Sequence, residues 1–189
     1  MTKGELRREI LGWREALEPD EVVELSAKVV RNFLTLEEYG RAEAILLYLD
    51  FRGEVRTRNL VAASLDLGKT VLVPRVRGHE LDPVQLTDPL RGIQPGAFGV
   101  PEPTATEVYT GPIDLVLVPA VAYDRRGYRV GYGGGFYDRF LVGRGAASRK
   151  VGLAYARQVV DQLPTEDHDV PVDLVVTEVG VVRCHRFRS

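Results

Sequence analysis

The segment Arg129-Val130-Gly131-Tyr132-Gly133-Gly134-Gly135-Phe136-Tyr137-Asp138-Arg139 gathers more chemistry than any other stretch of this chain. Four glycines in five positions open backbone conformations that a Cβ forbids and let N–H groups approach an anion closely. Phe136 to Leu141 is suited to begin a helix, whose N-terminal end favours phosphate. Arg129 and Arg139 flank the loop with guanidinium forks that match phosphate oxygens. Aromatic, carboxylate and guanidinium groups crowd the same few positions, so a phosphate or nucleotide site is a stronger reading than a bare tight turn.

Two familiar nucleotide motifs are excluded. A dinucleotide fingerprint starting at Gly131 needs glycine where Phe136 stands. Gly68-Lys69-Thr70 imitates the end of a Walker A loop, but Ala63 occupies the first glycine position and the triplet runs from a helix into a strand.

Stepping outward, short buried strands alternate with helices. Ala44 to Leu49 is an apolar run fit for a strand covered on both faces, and Thr70–Val73, Leu115–Val118, Val151–Ala154 and Leu174–Val176 repeat the pattern. Thr57 to Leu67 reads as a helix with Leu60, Val61, Ser64 and Leu65 inward, ended by Gly68. This alternation predicts an α/β fold of three layers, α/β/α, around a mostly parallel central sheet.

An added N-terminal helical segment precedes it. Thr2 with Glu5 forms a capping-box pattern, and Leu6, Ile10, Leu11, Trp13 and Leu17 supply an apolar stripe. Pro19 suits the first turn of a second helix, with Val22, Val23, Val29, Val30, Phe33 and Leu34 on its buried side. Gly92 to Pro112, rich in Gly, Pro and Thr, reads as a long surface loop. No repeat or linker breaks residues 1–189, so a single domain is expected.

The 189 residues are 44% hydrophobic and 28% charged, with a formal net charge of -2, so no global basic field draws the chain to nucleic acid or an anionic membrane. The longest strictly apolar run, Ala44 to Leu49, is far short of the roughly 20 residues a membrane helix needs. One cysteine, Cys184, excludes an internal disulfide framework. With an N-terminus lacking an apolar signal core, the expectation is a cytoplasmic protein, and a monomer. Cys184 and His185 alone do not make a zinc site.

The glycine loop and its surroundings resemble the 5-formyltetrahydrofolate cyclo-ligase family, also called 5,10-methenyltetrahydrofolate synthetases. The match runs from Asp114-Leu115-Val116-Leu117-Val118-Pro119 through Tyr123-Asp124 and Gly127 to the loop and Tyr137-Asp138. It continues through Val151 to Tyr155, Gln158, Leu163-Pro164 and His168-Asp169-Val170-Pro171-Val172-Asp173, while Lys3, Arg7, Leu49, Glu54 and Val73-Pro74-Arg75 fall upstream in the family's order. The resemblance covers nearly the whole chain.

It implies a ligase that uses ATP as co-substrate and Mg2+ as cofactor to cyclise 5-formyltetrahydrofolate to 5,10-methenyltetrahydrofolate, releasing ADP and phosphate through a phosphorylated formyl oxygen. No nucleophile or triad is required, and no catalytic side chain is assigned. Lys3, Arg7, Arg75, Arg129, Gly131, Tyr132, Gly133, Gly134, Gly135, Phe136 and Tyr137 are implied nucleotide contacts. Leu49 and Glu54 are implied folate contacts, joined by Tyr132, Gly133, Gly134, Gly135 and Phe136. Asp138 and Asp169 are implied metal-associated carboxylates.

Several of these roles have a plainer alternative. Lys3 and Arg7, four apart on one helix face, also fit a solvated basic face, and Arg75 a surface salt bridge. Phe136 also fits core packing, Asp138 a helix-start acid, and Asp169 a solvated acidic cluster. Some family members carry a basic residue where this chain has Gly134, so Lys3, Arg7, Arg129 or Arg139 must offset phosphate charge here. A sugar-phosphate isomerase and a non-catalytic sensor of a phosphorylated metabolite are the rival functions.

Overall fold

The computed structural model describes residues 2–89, 91–96 and 99–184. Three helices come first: α1 (Lys3–Glu15), α2 (Pro19–Leu34) and α3 (Glu37–Arg41). The capping box at α1 forms as the sequence predicts: the Thr2 hydroxyl accepts the Glu5 N–H at 3.2 Å and the Glu5 carboxylate accepts the Thr2 N–H at 2.8 Å. Pro19 opens α2.

Strand β1 (Ala44–Leu46) follows, then α4 (Arg58–Asp66), β2 (Thr70–Arg77), β3 (Glu80–Gln85), β4 (Ile93–Pro95), β5 (Pro101–Pro103), β6 (Leu115–Val118), β7 (Ala122–Asp124) and β8 (Arg129–Val130). Helix α5 (Phe136–Val142) and strands β9 (Arg149–Leu153), β10 (Val159–Val160), β11 (Leu174–Thr177) and β12 (Gly180–Arg183) complete the chain. The seven-stranded main sheet runs β12-β11-β9-β6-β1-β2-β3. Its inner pairings are parallel, and an antiparallel strand closes each edge.

Alternate residues of the parallel strands face opposite layers. Ile45, Leu47, Val71, Leu115, Leu117, Val151 and Leu174 pack with Val29 and Phe33 of α2, Tyr39 of α3, and Leu60 and Val61 of α4. Leu46, Leu72, Val116, Val118 and Val175 pack instead with Phe140 and Leu141 of α5, together with Ile113, Tyr123 and Val172. Both faces are covered, as the buried apolar runs require, but three helices serve one face and one short helix the other.

A smaller three-stranded sheet, β10-β7-β8, carries α1. Leu6 and Ile10 bury themselves against Val121, Ala122, Val130 and Leu163. The N-terminal segment is thus seated on the sheet that leads directly into the glycine loop.

Several sequence expectations are corrected. The strand expected over Ala44 to Leu49 closes at Leu46, although the Leu47 N–H still reaches the Leu72 carbonyl at 2.8 Å; beyond it the chain leaves the sheet edge while staying buried. Val23 and Leu34 of α2 are 48% and 40% exposed, because the sheet-facing stripe of the helix is narrower than its apolar content. The loop over Gly92 to Pro112 contains the β4–β5 hairpin; Ala97 and Phe98 within it lie outside the described residues. Strand β3, whose two acids and proline hide it in the sequence, pairs along β2 from Leu72↔Gln85 to Arg77↔Glu80.

Candidate active site

Strand β1 lies between β2, which follows it in the chain, and β6, which returns on its other side. This reversal of strand order opens a crevice beyond the carboxyl ends of β1 and β6, the place where open α/β sheets bind ligands. The segment after β1 and the segments after β6 and β8 supply its walls.

After β1, Leu49 is buried. Arg52 and Gly53 then adopt left-handed backbone (φ 47° and 71°), and the Glu54 N–H closes the turn on the Phe51 carbonyl at 3.1 Å. The turn points the Glu54 side chain inward, where the residue is only 7% exposed. One carboxylate oxygen accepts the Phe51 N–H at 3.0 Å and the other accepts the Tyr132 hydroxyl at 3.1 Å. Burial pushes its pKa up to about 7; the Arg14 charge and the two hydrogen bonds hold it from rising further.

The glycine loop leaves β8 and enters α5. Gly133 and Gly135 take φ of 101° and 65°, a region where a side chain would clash with its own backbone. Gly134 has a different constraint, since a Cβ there would lie 2.5 Å from the Phe136 ring, which folds back over it. Arg139 stacks on that ring at 5.2 Å and donates to the carbonyls of Gly134 and His79, both at 2.9 Å. Helix α5 has only seven residues, so loop N–H groups supply more of any phosphate attraction than a helix dipole. The Tyr137 hydroxyl is buried with no hydrogen-bond partner among the described residues, and burial pushes its pKa up.

Lys3 and Arg7 of α1 both reach this region. Arg7 Nε donates to the Gly131 carbonyl at 2.8 Å. Lys3 Nζ pairs with Asp169 Oδ2 at 2.8 Å. Arg129 donates to Asp138 Oδ1 at 2.7 Å and to the Val170 carbonyl at 2.5 Å. The cations therefore divide into two kinds. Among the described residues, Lys3 and Arg129 are paired with carboxylates, whereas Arg7 and Arg139 donate to carbonyls beside the loop.

Asp138 and Asp169 are 31 positions apart in sequence, and one backbone contact next to Asp169 reaches Asp138. The Val170 N–H donates to Asp138 Oδ1 at 3.1 Å, and Asp169 is its chain neighbour. Asp169 Oδ2 also accepts the Glu166 N–H at 2.9 Å. Partial burial works to raise the Asp169 pKa, but the Lys3 and Glu166 hydrogen bonds outweigh it and hold it below the ordinary carboxylate value. The described residues contain no group of three or more potential metal-ligating His, Cys, Asp or Glu side chains. An open hollow of about 500 Å³ lies over Gly133 to Gly135, Asp138, Arg139, His168 and Val170.

Arg75 stands apart. Its guanidinium pairs with Asp82 of β3 at 3.2 Å and reaches the Ala105 carbonyl at 3.5 Å, with no described hydrogen bond into the glycine loop. Cys184 packs against the second face of the core, and His185 lies outside the described residues.

Sequence reasoning missed Arg14. It is 1% exposed, and one of its nitrogens donates to the Tyr132 hydroxyl. The available signal was position: Arg14 follows Leu6 and Ile10 at successive steps of four, a charge in line with a buried stripe.

Comparison with known proteins matches this architecture. Residues 1–178 match the model of the 5-formyltetrahydrofolate cyclo-ligase family. A 5-formyltetrahydrofolate cyclo-ligase of Haemophilus influenzae is 34% identical over 180 residues, covering 91% of this chain and 96% of the relative. One from Mycolicibacterium smegmatis is 33% identical over 187 residues, covering 93% of each chain. The solution structure of the 5,10-methenyltetrahydrofolate synthetase of Aquifex aeolicus superposes with a TM-score of 0.85 at 39% identity, covering 100% of this chain and 96% of that one. With a family match along nearly its whole length, relatives of equal size and a shared fold, the chain belongs to the 5-formyltetrahydrofolate cyclo-ligase family of ligase enzymes.

Proposed function

We propose that this protein uses ATP and magnesium to cyclise 5-formyltetrahydrofolate to 5,10-methenyltetrahydrofolate, releasing ADP and phosphate. The observation that carries the reading is the junction at Tyr132, which joins the buried Glu54 carboxyl to the glycine loop. An acceptor suited to pterin N–H groups and a loop suited to phosphates thus share one wall, and the reaction requires phosphate transfer onto the folate itself.

The formyl oxygen on N5 is a poor leaving group. It attacks the γ-phosphorus of ATP, and ADP departs. N10 then adds to the activated formyl carbon and gives up its proton, and phosphate leaves with the formyl oxygen as the ring closes. This chemistry asks the protein for in-line placement and charge neutralisation rather than for a nucleophile.

Loop N–H groups cradle the phosphates, while Arg7 and Arg139, whose hydrogen bonds among the described residues go to carbonyls, offset the negative charge in place of a basic residue at Gly134. Lys3 and Arg129 orient the carboxylates of Asp169 and Asp138. These two hard-oxygen donors would hold magnesium, which favours one or two carboxylates beside water and phosphate oxygens, and the ion would neutralise phosphate charge. Leu49, Glu54 and Phe136 line the folate side. Arg75, held by Asp82, is left out of the phosphate set.

The expected form is a cytoplasmic monomer in which one domain holds both substrates. Among the described residues no helix is long and apolar enough to cross a membrane.

The test is the appearance of methenyltetrahydrofolate absorbance when purified protein meets 5-formyltetrahydrofolate, magnesium and ATP, against an ATP-free control. ATP-dependent product supports the assignment. Folded protein that binds ATP but makes no product overturns it in favour of a non-catalytic sensor.

A further inference from the structure

Arg14 makes three kinds of contact. Its Nε donates to the Arg52 carbonyl at 2.9 Å, in the turn after β1. Nη1 reaches the Ala120 carbonyl at 3.5 Å, in the segment after β6. Nη2 donates to the Tyr132 hydroxyl of the glycine loop. These are the three chain segments that wall the crevice, and one side chain from α1 ties them together.

Burying a guanidinium is costly unless its charge and donors are satisfied. Here the Arg14 charge acts on the Glu54 carboxyl, and the two are linked through the phenol rather than by a direct hydrogen bond. Because the Tyr132 oxygen accepts from Arg14, its single proton is left to donate to Glu54. The result is a chain of cation, hydroxyl and carboxylate in which each member polarises the next. With Phe51 holding the other oxygen, the orientation of the carboxylate is set from two sides.

We infer that Arg14 is a positioning residue of the folate subsite, acting through Tyr132 to hold Glu54 as an oriented acceptor for substrate N–H groups. This rests on the function proposed above. Arg14 itself does not touch the substrate.

The groups that face Glu54 are few. Arg14 approaches from α1, Tyr132 from the glycine loop, and Asp50 and Tyr48 from its own segment; Tyr123 and Tyr137 are buried phenols that feel its charge. Of these, Arg14 and the Tyr132 hydrogen bond favour the carboxylate, while Asp50 disfavours it. Loss of the relay therefore leaves Glu54 protonated to a higher pH, where it meets a substrate N–H as a donor instead of an acceptor.

The test compares wild type with Tyr132→Phe, Arg14→Met and Arg14→Lys. Tyr132→Phe deletes only the bridging hydroxyl of a residue that is 43% exposed, so it keeps the test open should Arg14→Met not fold. In Tyr132→Phe, kcat/KM for 5-formyltetrahydrofolate is expected to fall about tenfold, with folate KM changing more than ATP KM. Its acidic limb is expected to move up by about one pH unit. Arg14→Lys, which keeps the charge, recovers part of the loss seen in Arg14→Met.

The Glu54 carboxyl is also titrated by carbon NMR in the substrate-free protein, assigned with Glu54→Gln. An upward move in Tyr132→Phe supports the relay whether or not turnover is seen. An unmoved titration, or a wild-type folate KM and pH profile in folded Tyr132→Phe, overturns it. Absence of turnover in wild type overturns the proposed function instead.

Discussion

Replacing Glu54 with glutamine removes a titration that the fold itself has displaced. The carboxyl lies 7% exposed and titrates at about 7, against an ordinary value of 4.5. Its protonated form is therefore the one the folded state favours. The stability contributed is fully present below pH 4.5 and is lost as pH rises through about 7. At about 1.4 kcal/mol per pH unit, the full span from 4.5 to about 7 amounts to about 3 kcal/mol. Between about pH 5.5 and about pH 8 the part lost is about 2 kcal/mol.

Urea unfolding at those two pH values reads it directly. With a slope of about 2 kcal/mol per molar, the wild-type midpoint falls by about 1 M more between them than that of Glu54→Gln. The glutamine variant carries a separate, pH-independent cost from mismatched hydrogen bonds, so the comparison is of slopes with pH and not of absolute stabilities. Equal pH dependence in the two proteins refutes the claim that Glu54 is buried and displaced in its titration.

Three further outcomes are expected. Arg7→Ala removes both a charge beside the loop and the 2.8 Å hydrogen bond to Gly131, so ATP KM rises about tenfold; steady-state kinetics with varied ATP check it, and an effect confined to folate KM contradicts the placement of α1. Asp138→Asn keeps an acceptor for the Val170 N–H but leaves Arg129 without its counter-charge, and kcat falls about a hundredfold, whereas an unchanged magnesium requirement in the variant refutes the metal role. Ile10→Ala opens a cavity where α1 meets the small sheet and lowers unfolding stability by about 3 kcal/mol, measured by thermal or urea denaturation; a loss below about 1 kcal/mol means that α1 is not firmly docked.

The strands were legible because each is a short apolar run with too little amphipathic character for a surface helix. That argument locates Leu115–Val118 and Leu174–Val176 well, and it fails at β3, where Asp82 and Pro83 sit on an edge strand that needs only one paired side. It also overextends β1, because Leu47 to Leu49 are buried for a second reason, as the path from the carboxyl end of a central strand to the site. The apolar stripe of α1 was read correctly, but periodicity says only that a face is covered and not which surface covers it.

Within the site, the glycine loop announced itself through composition, since left-handed backbone and close anion approach demand that residue type. The hydrogen bond from the Val170 N–H to Asp138 and the burial of Arg14 carried no comparable mark. Both depend on contacts between segments far apart in the chain, and no local pattern encodes the partner at the other end.

The sequence by itself determined the main helices, the apolar strands of a mostly parallel sheet and the candidate loop, because local propensity and hydrophobic period act over a few residues. Only the tertiary structure decided which cations are paired with carboxylates. Lys3 and Arg129 meet carboxylates, and Arg7 and Arg139 meet carbonyls. It likewise decided that Glu54 titrates near neutrality, because desolvation is a property of everything packed around the carboxyl and not of its neighbours in the chain.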